Sequence, residues 1–291
     1  MKLKNIPVNR ITAVFIALFI AMFSMNFSFD TNASNTSRTY SIYKATTGAY
    51  IGGYTLNTLD IDDNLVSPHY VFGNDDRVID FTKSGVVKIL SSNEFLGTGF
   101  VVNKNTIATA AHCVKGYTVN KIKFFDSNGN VSKTITPSEV HIPKPYVSGN
   151  SSYDYALIKV NEDLSDYAIF DLGVALDSAI DNHLSVSVTG FPNSLNNQLD
   201  DNINNFTTDN MYTGIGTLTP STSLYGKDYQ LCYTADTSSG NSGSPVYITT
   251  SYYGKVYYTV IGINTTGSNK YNSGVRMSTD LLHFYMNNPN V

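Results

Sequence analysis

The heptapeptide Gly240-Asn241-Ser242-Gly243-Ser244-Pro245-Val246 sets one serine among small residues and runs into an apolar tail. A serine hydroxyl is a poor nucleophile unless a base stands beside it and N–H groups face the oxyanion that forms on the attacked carbonyl. Gly240 and Gly243 suit such a site, because a backbone without Cβ takes conformations closed to other residues and lets a carbonyl approach closely. Alone, the motif reads equally well as a Gly/Ser surface turn. Two further stretches weigh against the plain turn. Thr109-Ala110-Ala111-His112-Cys113 follows an apolar run, and Asp154-Tyr155-Ala156-Leu157-Ile158-Lys159-Val160 opens another.

Together the three stretches resemble the chymotrypsin-like serine proteases, in which His sits in an A-A-H-C context, Asp precedes a short buried strand, and Ser lies in G-[DN]-S-G. The order His112, Asp154, Ser242 is also that family's, distinct from the subtilisin and α/β-hydrolase orders. The resemblance implies a triad of His112, Asp154 and Ser242, with an oxyanion hole formed by the backbone N–H groups of Gly240 and Ser242. It implies an all-β fold of two six-stranded antiparallel β-barrels, with His112 and Asp154 in the first and Ser242 in the second. Asn241 stands where digestive relatives carry Asp, which points away from the ion pair between a new N-terminus and that Asp.

Val71-Phe72-Gly73-Asn74-Asp75-Asp76-Arg77 and Thr189-Gly190-Phe191-Pro192 further resemble the V8-like glutamyl endopeptidases, the first at their mature N-terminus and the second early in their second barrel. In that branch an acidic P1 side chain is held by a His on the strand after the nucleophile, a Thr five residues before the Ser, and the mature α-amino group. Thr237 and Val71 match. Asn264 stands in place of the His, and an amide can donate to a carboxylate but carries no charge. Asp236 lies six residues before Ser242, the trypsin-like spacing for Lys or Arg recognition, but V8-like sequences carry Asp-Thr there and it reads as structural. The implied P1 order is acidic, then small or polar, then basic.

Composition bounds the alternatives. Of 291 residues only 14% are charged and 42% are hydrophobic, which excludes a disordered, charge-rich chain,. A net charge of −4 with no long basic run argues against nucleic acid as a partner,. Lys2, Lys4 and Arg10 precede the apolar run 11–23, the pattern of a signal peptide ending near Ala33,. Residues 1–33 thus read as a signal peptide, the only membrane contact expected, and the product as secreted and extracellular. Cys113 and Cys232 read as buried thiols, since the strand before the histidine, Phe95-Leu96-Gly97-Thr98-Gly99-Phe100, lacks the usual bridging Cys,.

Residues 34–70, rich in Ser, Thr, Asn, Asp and Tyr with little periodicity, read as a propeptide removed by an activating protease near Val71. Beyond residue 84, short runs rich in Val, Ile, Tyr and Phe recur between turn signals, which argues for all-β architecture. The runs are 85–90, 99–102, 106–111, 121–125, 155–160, 184–190, 211–218, 229–234, 244–248, 255–263 and 274–277. The weakly patterned segment 161–180 places the barrel boundary, giving 71–172 and 173–291, and 279–286 reads as a closing helix. No cofactor or metal is expected, and the product reads as a monomer acting on protein or peptide substrates. The alternative from another class is a catalytically silent homologue used for adhesion or toxin-like binding through the Tyr-rich surface at Tyr252, Tyr253, Tyr257 and Tyr258.

Overall fold

The computed structural model describes residues 36–58, 70–72, 75–193, 210–220, 230–268 and 270–277. The signal segment 1–33 and the closing helix at 279–286 lie outside them. The strands are β1 (Thr36–Lys44), β2 (Tyr50–Thr58), β3 (Val78–Ile79), β4 (Val86–Ser91), β5 (Glu94–Asn103), β6 (Thr106–Thr109), β7 (Lys121–Phe125), β8 (Val131–Ile135) and β9 (Glu139–Pro143). They continue with β10 (Ala156–Lys159), β11 (Phe170–Leu172), β12 (Ser185–Gly190), β13 (Tyr212–Thr217), β14 (Gln230–Tyr233), β15 (Pro245–Tyr252), β16 (Lys255–Gly267) and β17 (Asn272–Arg276). Only short helical turns interrupt them, and among the described residues no helix is long and apolar enough to cross a membrane.

Each run read from the sequence overlaps a strand. Among the described residues β1, β2, β3, β8, β9 and β11 carry no such run; β3 and β11 are two and three residues long, and β9 is buried but has its apolar side chains interrupted by His141. β8 is an edge strand with most of its side chains in solvent, and β1 and β2 are built from Thr, Ser, Tyr and Asn, so neither presents an apolar alternation,. Two sheets result, in the orders β2-β1-β9-β10-β6-β5-β4-β7-β8 and β14-β17-β16-β15-β12-β13-β3, with β11 beside β16. Among the described residues the expectation of six strands apiece is therefore corrected to nine and eight. The first sheet has seven strands besides the β1–β2 hairpin on the edge of β9, and the second has six besides β3 and β11, the latter in parallel pairing. Strand pairing also crosses the expected division after residue 172. β3 lies before the first barrel's strands yet pairs with β13, and Phe170–Leu172 pair with β16.

One apolar cluster spans the seam between the sheets, with Phe100, Ala108 and Leu157 from the first and Phe170, Tyr247 and Ile263 from the second. The Phe100 ring meets Phe170 edge-on at 5.9 Å between centroids, and Phe170 meets Tyr247 at 5.5 Å. Such contacts add to the area buried by each ring. Because Phe100 is fully buried, Phe100→Ala should lower unfolding stability by roughly 3–5 kcal/mol in a urea titration. A loss below about 1 kcal/mol, the range of ordinary surface changes, would show that the seam does not depend on this ring.

Candidate active site

β6 and β10 run side by side with Thr109 opposite Ala156. The chain leaves β6 through the 3-10 turn Ala111–Cys113 and enters β10 from the turn Ser151–Tyr153. His112 and Asp154 therefore emerge at the same end of one strand pair. Asp154 is buried and uses its oxygens separately. Oδ1 accepts the His112 backbone N–H at 2.9 Å, and Oδ2 faces His112 Nδ1 at 2.7 Å. The first bond fixes the carboxylate to the turn, and the second orients the imidazole so that Nε2 points away from Asp154. Burial disfavours the charged ring, but the Asp154 carboxylate together with Cys113 outweighs it and holds the His112 pKa well above the ordinary 6.5,. With 30% of the side chain exposed, water screens part of that attraction.

Ser242 lies in the turn between β14 and β15, and the first sheet grips its backbone. The Ser242 carbonyl accepts from Thr98 N at 2.9 Å and lies 3.6 Å from Cys113 Sγ. The residue after His112 thus touches the backbone of Ser242, which brings together the ends of the chain that carry the two side chains. Thr98 Oγ1 donates to the Gly240 carbonyl at 2.9 Å and accepts from Phe191 N at 3.1 Å, while the Thr98 carbonyl accepts from Thr109 Oγ1 at 2.7 Å. Gly240 and Gly243 are both left-handed, with φ of +92° and +86°, a region where other residues are strained. A Cβ on Gly243 would also sit 2.1 Å from the Thr98 carbonyl. Cys113 and Cys232 are free and buried.

The second sheet holds the turn from below. Asn264 is fully buried, and its amide oxygen accepts from the Tyr233 hydroxyl at 2.5 Å while its nitrogen donates to the Asn241 carbonyl at 2.8 Å. Its backbone closes the same turn, since Gly243 N donates to the Asn264 carbonyl at 2.7 Å and Asn264 N donates to Ser244 at 2.9 Å. The Asn241 side-chain oxygen accepts from Ser238 N at 3.1 Å and from Arg77 Nη1 at 3.4 Å. Arg77 also donates to Ser238 Oγ at 2.9 Å and forms a two-point pair with Asp75 at 2.9 and 2.6 Å. A cation therefore stands beside the residue preceding Ser242, and it comes from a side chain within the chain.

Thr237 meets the backbone of Tyr70, the residue before Val71. The Tyr70 carbonyl accepts from Thr237 N at 3.2 Å and from the Asn272 side chain at 2.5 Å, and Tyr70 N donates back to Asn272 Oδ1 at 2.7 Å. Both polar groups of Tyr70 are bonded, and Val71 is buried. Asp236 Oδ1 accepts from Phe72 N at 2.7 Å, so the acid anchors the 71–77 segment. Burial raises its pKa against the pull of the backbone donors at Phe72 and Asp76,. Nothing in the sequence marks Thr98, Arg77 or Asn272 as site residues; only their spatial neighbours assign them their work.

The two-sheet fold agrees with what the chain is similar to. A family model described as Trypsin matches residues 71–281. An extracellular metalloprotease of Bacillus subtilis (strain 168) is 27% identical over 270 residues, covering 86% of this chain and 79% of that protein. A glutamyl endopeptidase of Bacillus licheniformis is 25% identical over 237 residues, covering 73% of this chain and 66% of that protein. The word metalloprotease belongs to the Bacillus subtilis protein. Among the described residues no group of three or more His, Cys, Asp or Glu side chains could hold a metal ion. With the match running over more than half its length, the chain belongs to the trypsin family, the chymotrypsin-like serine endopeptidases.

Proposed function

We propose that the chain is a secreted endopeptidase, made with a signal peptide at 1–33 and a propeptide at 34–70, that cleaves peptide bonds through His112, Asp154 and Ser242. The observation that carries this reading is the 2.7 Å contact of His112 Nδ1 with Asp154 on the turn whose next residue lies against Ser242. In the proposed reaction His112 Nε2 takes the Ser242 proton as Oγ attacks the scissile carbonyl. The imidazolium, stabilised by Asp154, then protonates the leaving amine as the C–N bond breaks. Water, activated by the same imidazole, hydrolyses the acyl ester and restores the hydroxyl. The N–H groups of Gly240 and Ser242 would hold the oxyanion, a donor of this kind lowering the barrier by roughly 3 kcal/mol. The grip on all three carbonyls of residues 240–242 supports that role, because it leaves the turn little freedom to rotate its amides.

Ser242→Ala should abolish casein hydrolysis and labelling by a serine-directed phosphonate, with an unchanged far-UV spectrum. Labelling that survives the change would remove Ser242 from the mechanism, and a wild-type protein that takes no label would favour the silent homologue.

The pH dependence follows from the histidine. A base must be neutral, so kcat/KM should rise with pH through an apparent pKa above the ordinary 6.5,. Stability moves the other way. A folded pKa raised by a partner stabilises the protein fully below the unfolded value and loses that contribution as pH rises through the folded one. Asp154→Asn should move the rate limb to lower pH and reduce kcat by about 10⁴-fold. A limb that stays in place would show that Asp154 does not set this titration.

The finer reading is a preference for acidic P1 residues, with Thr237, Asn264 and the Val71 amine as the wall of the pocket. Asn264 is neutral and its amide is already bonded to Tyr233 and Asn241, so the charge opposite a carboxylate would come from Val71 after cleavage. That cleavage requires Tyr70 to leave its bonds with Asn272 and Thr237. Peptides differing only at P1 should be cleaved at least tenfold faster with Glu or Asp than with Ala or Lys, and equal rates would remove the preference.

A further inference from the structure

We propose that the β1–β2 hairpin is a permanent structural part of the active protein, and that it stays on the edge of β9 as a separate, noncovalently bound chain once the connection between β2 and Val71 is cut. The cut itself rests on the maturation reading above. β9 pairs on one side with β10 and on the other with β1, in the register Tyr40 to Pro143, Ser41 to Ile142, Ile42 to His141, Tyr43 to Val140 and Lys44 to Glu139. Removing the hairpin would leave a row of unpaired backbone groups on β9, the kind of edge that proteins ordinarily cover. β2 forms the other side of the hairpin, so β1 has both neighbours it needs to hold its extended shape.

The attachment is buried as well as hydrogen-bonded. Tyr40 is 1% exposed and belongs to the cluster that spans the seam, and its hydroxyl bonds that of Tyr155, the residue after Asp154, at 2.7 Å. Ala45, at the end of β1, is equally buried and shares a core with Ala111 and Cys113 on either side of His112. Ala45 N donates to the Ser138 carbonyl at 3.1 Å, carrying the attachment past the strand. β1 also packs on the helical turn Lys144–Val147, where burial and the nearby Asp154 raise the pKa of the Tyr146 hydroxyl. A segment that only occludes a substrate cleft can depart and leave a finished core behind it. This one supplies core, with Tyr40 behind the aspartate and Ala45 behind the histidine.

The test uses the full chain with a recognition site for an unrelated protease placed in segment 59–69. After that cut, native mass spectrometry of the phosphonate-labelled protein should give the mass of both pieces together, and denaturing spectrometry should separate them. Labelled protein that carries only the C-terminal piece under native conditions would overturn the proposal. Tyr40→Phe, which keeps the ring, and Tyr40→Ala should shorten the half-life of the bound piece in that order, the second at least tenfold, and half-lives equal to the unsubstituted protein's would also overturn it. Edman sequencing of the naturally secreted protein reports the maturation cut separately. If phosphonate never labels the protein, the enzyme reading fails, while the native mass of the cut, unlabelled protein still reports whether the hairpin stays.

Discussion

Thr98 bonds through its amide, its carbonyl and its hydroxyl; the amide and hydroxyl join the two sheets, and the carbonyl ties β5 to β6 within the first. Its amide holds the Ser242 carbonyl, its hydroxyl holds the Gly240 carbonyl and accepts from Phe191, and its own carbonyl receives Thr109. The residue is fully buried, where a polar group without a partner is costly. The arrangement is therefore close to all-or-none. Either the nucleophile turn sits on β5 in this register, or several backbone groups are left dry and unpaired. Because Thr109 ends the strand leading to His112, the same contact relates the histidine turn to the serine turn.

Around that contact the turn is enclosed on its remaining sides. Asn264 and Tyr233 hold Asn241 from the strands of the second sheet, and Arg77 with Asp75 reaches it from the 71–77 segment. The guanidinium stands beside a neutral Asn side chain. Order in the turn here is helped by a cation supplied by a side chain of the chain itself, which accords with Asn rather than Asp at position 241. The segment that supplies Arg77 is anchored by Asp236 and Asn272, so the acid at trypsin-like spacing is engaged in holding backbone.

Much of this was legible in the residues. Gly240, Gly243 and Ser242, the Ala-Ala-His-Cys context and the aspartate before an apolar strand announced a family, and the runs of Val, Ile, Tyr and Phe announced strands at the right places. Part of what stayed hidden is of one kind. β1, β2 and β8 are polar or edge strands whose pairing comes from a neighbour's open edge, and that edge is formed by residues far away in the chain. The propeptide reading of 34–70 rests on the lack of periodicity, and the same lack conceals a hairpin that buries Tyr40 and Ala45 among its described side chains.

Local chemistry settled which side chains can act as nucleophile, base and orienting acid, because hydroxyl, imidazole and carboxylate keep their capacities wherever the chain carries them. Left- or right-handed backbone at Gly240 and Gly243 is likewise a matter of the residue itself. Partnership was decided only when the chain folded. Asn264 is buried and bonded to Tyr233 and Asn241, contacts that its position on the strand does not announce, and Asp236 is held by backbone 164 residues away. Hydrogen bonds and apolar contacts act over a few ångströms, so the identity of each residue was written in the sequence, and what it touches was fixed by the packing of two sheets against each other.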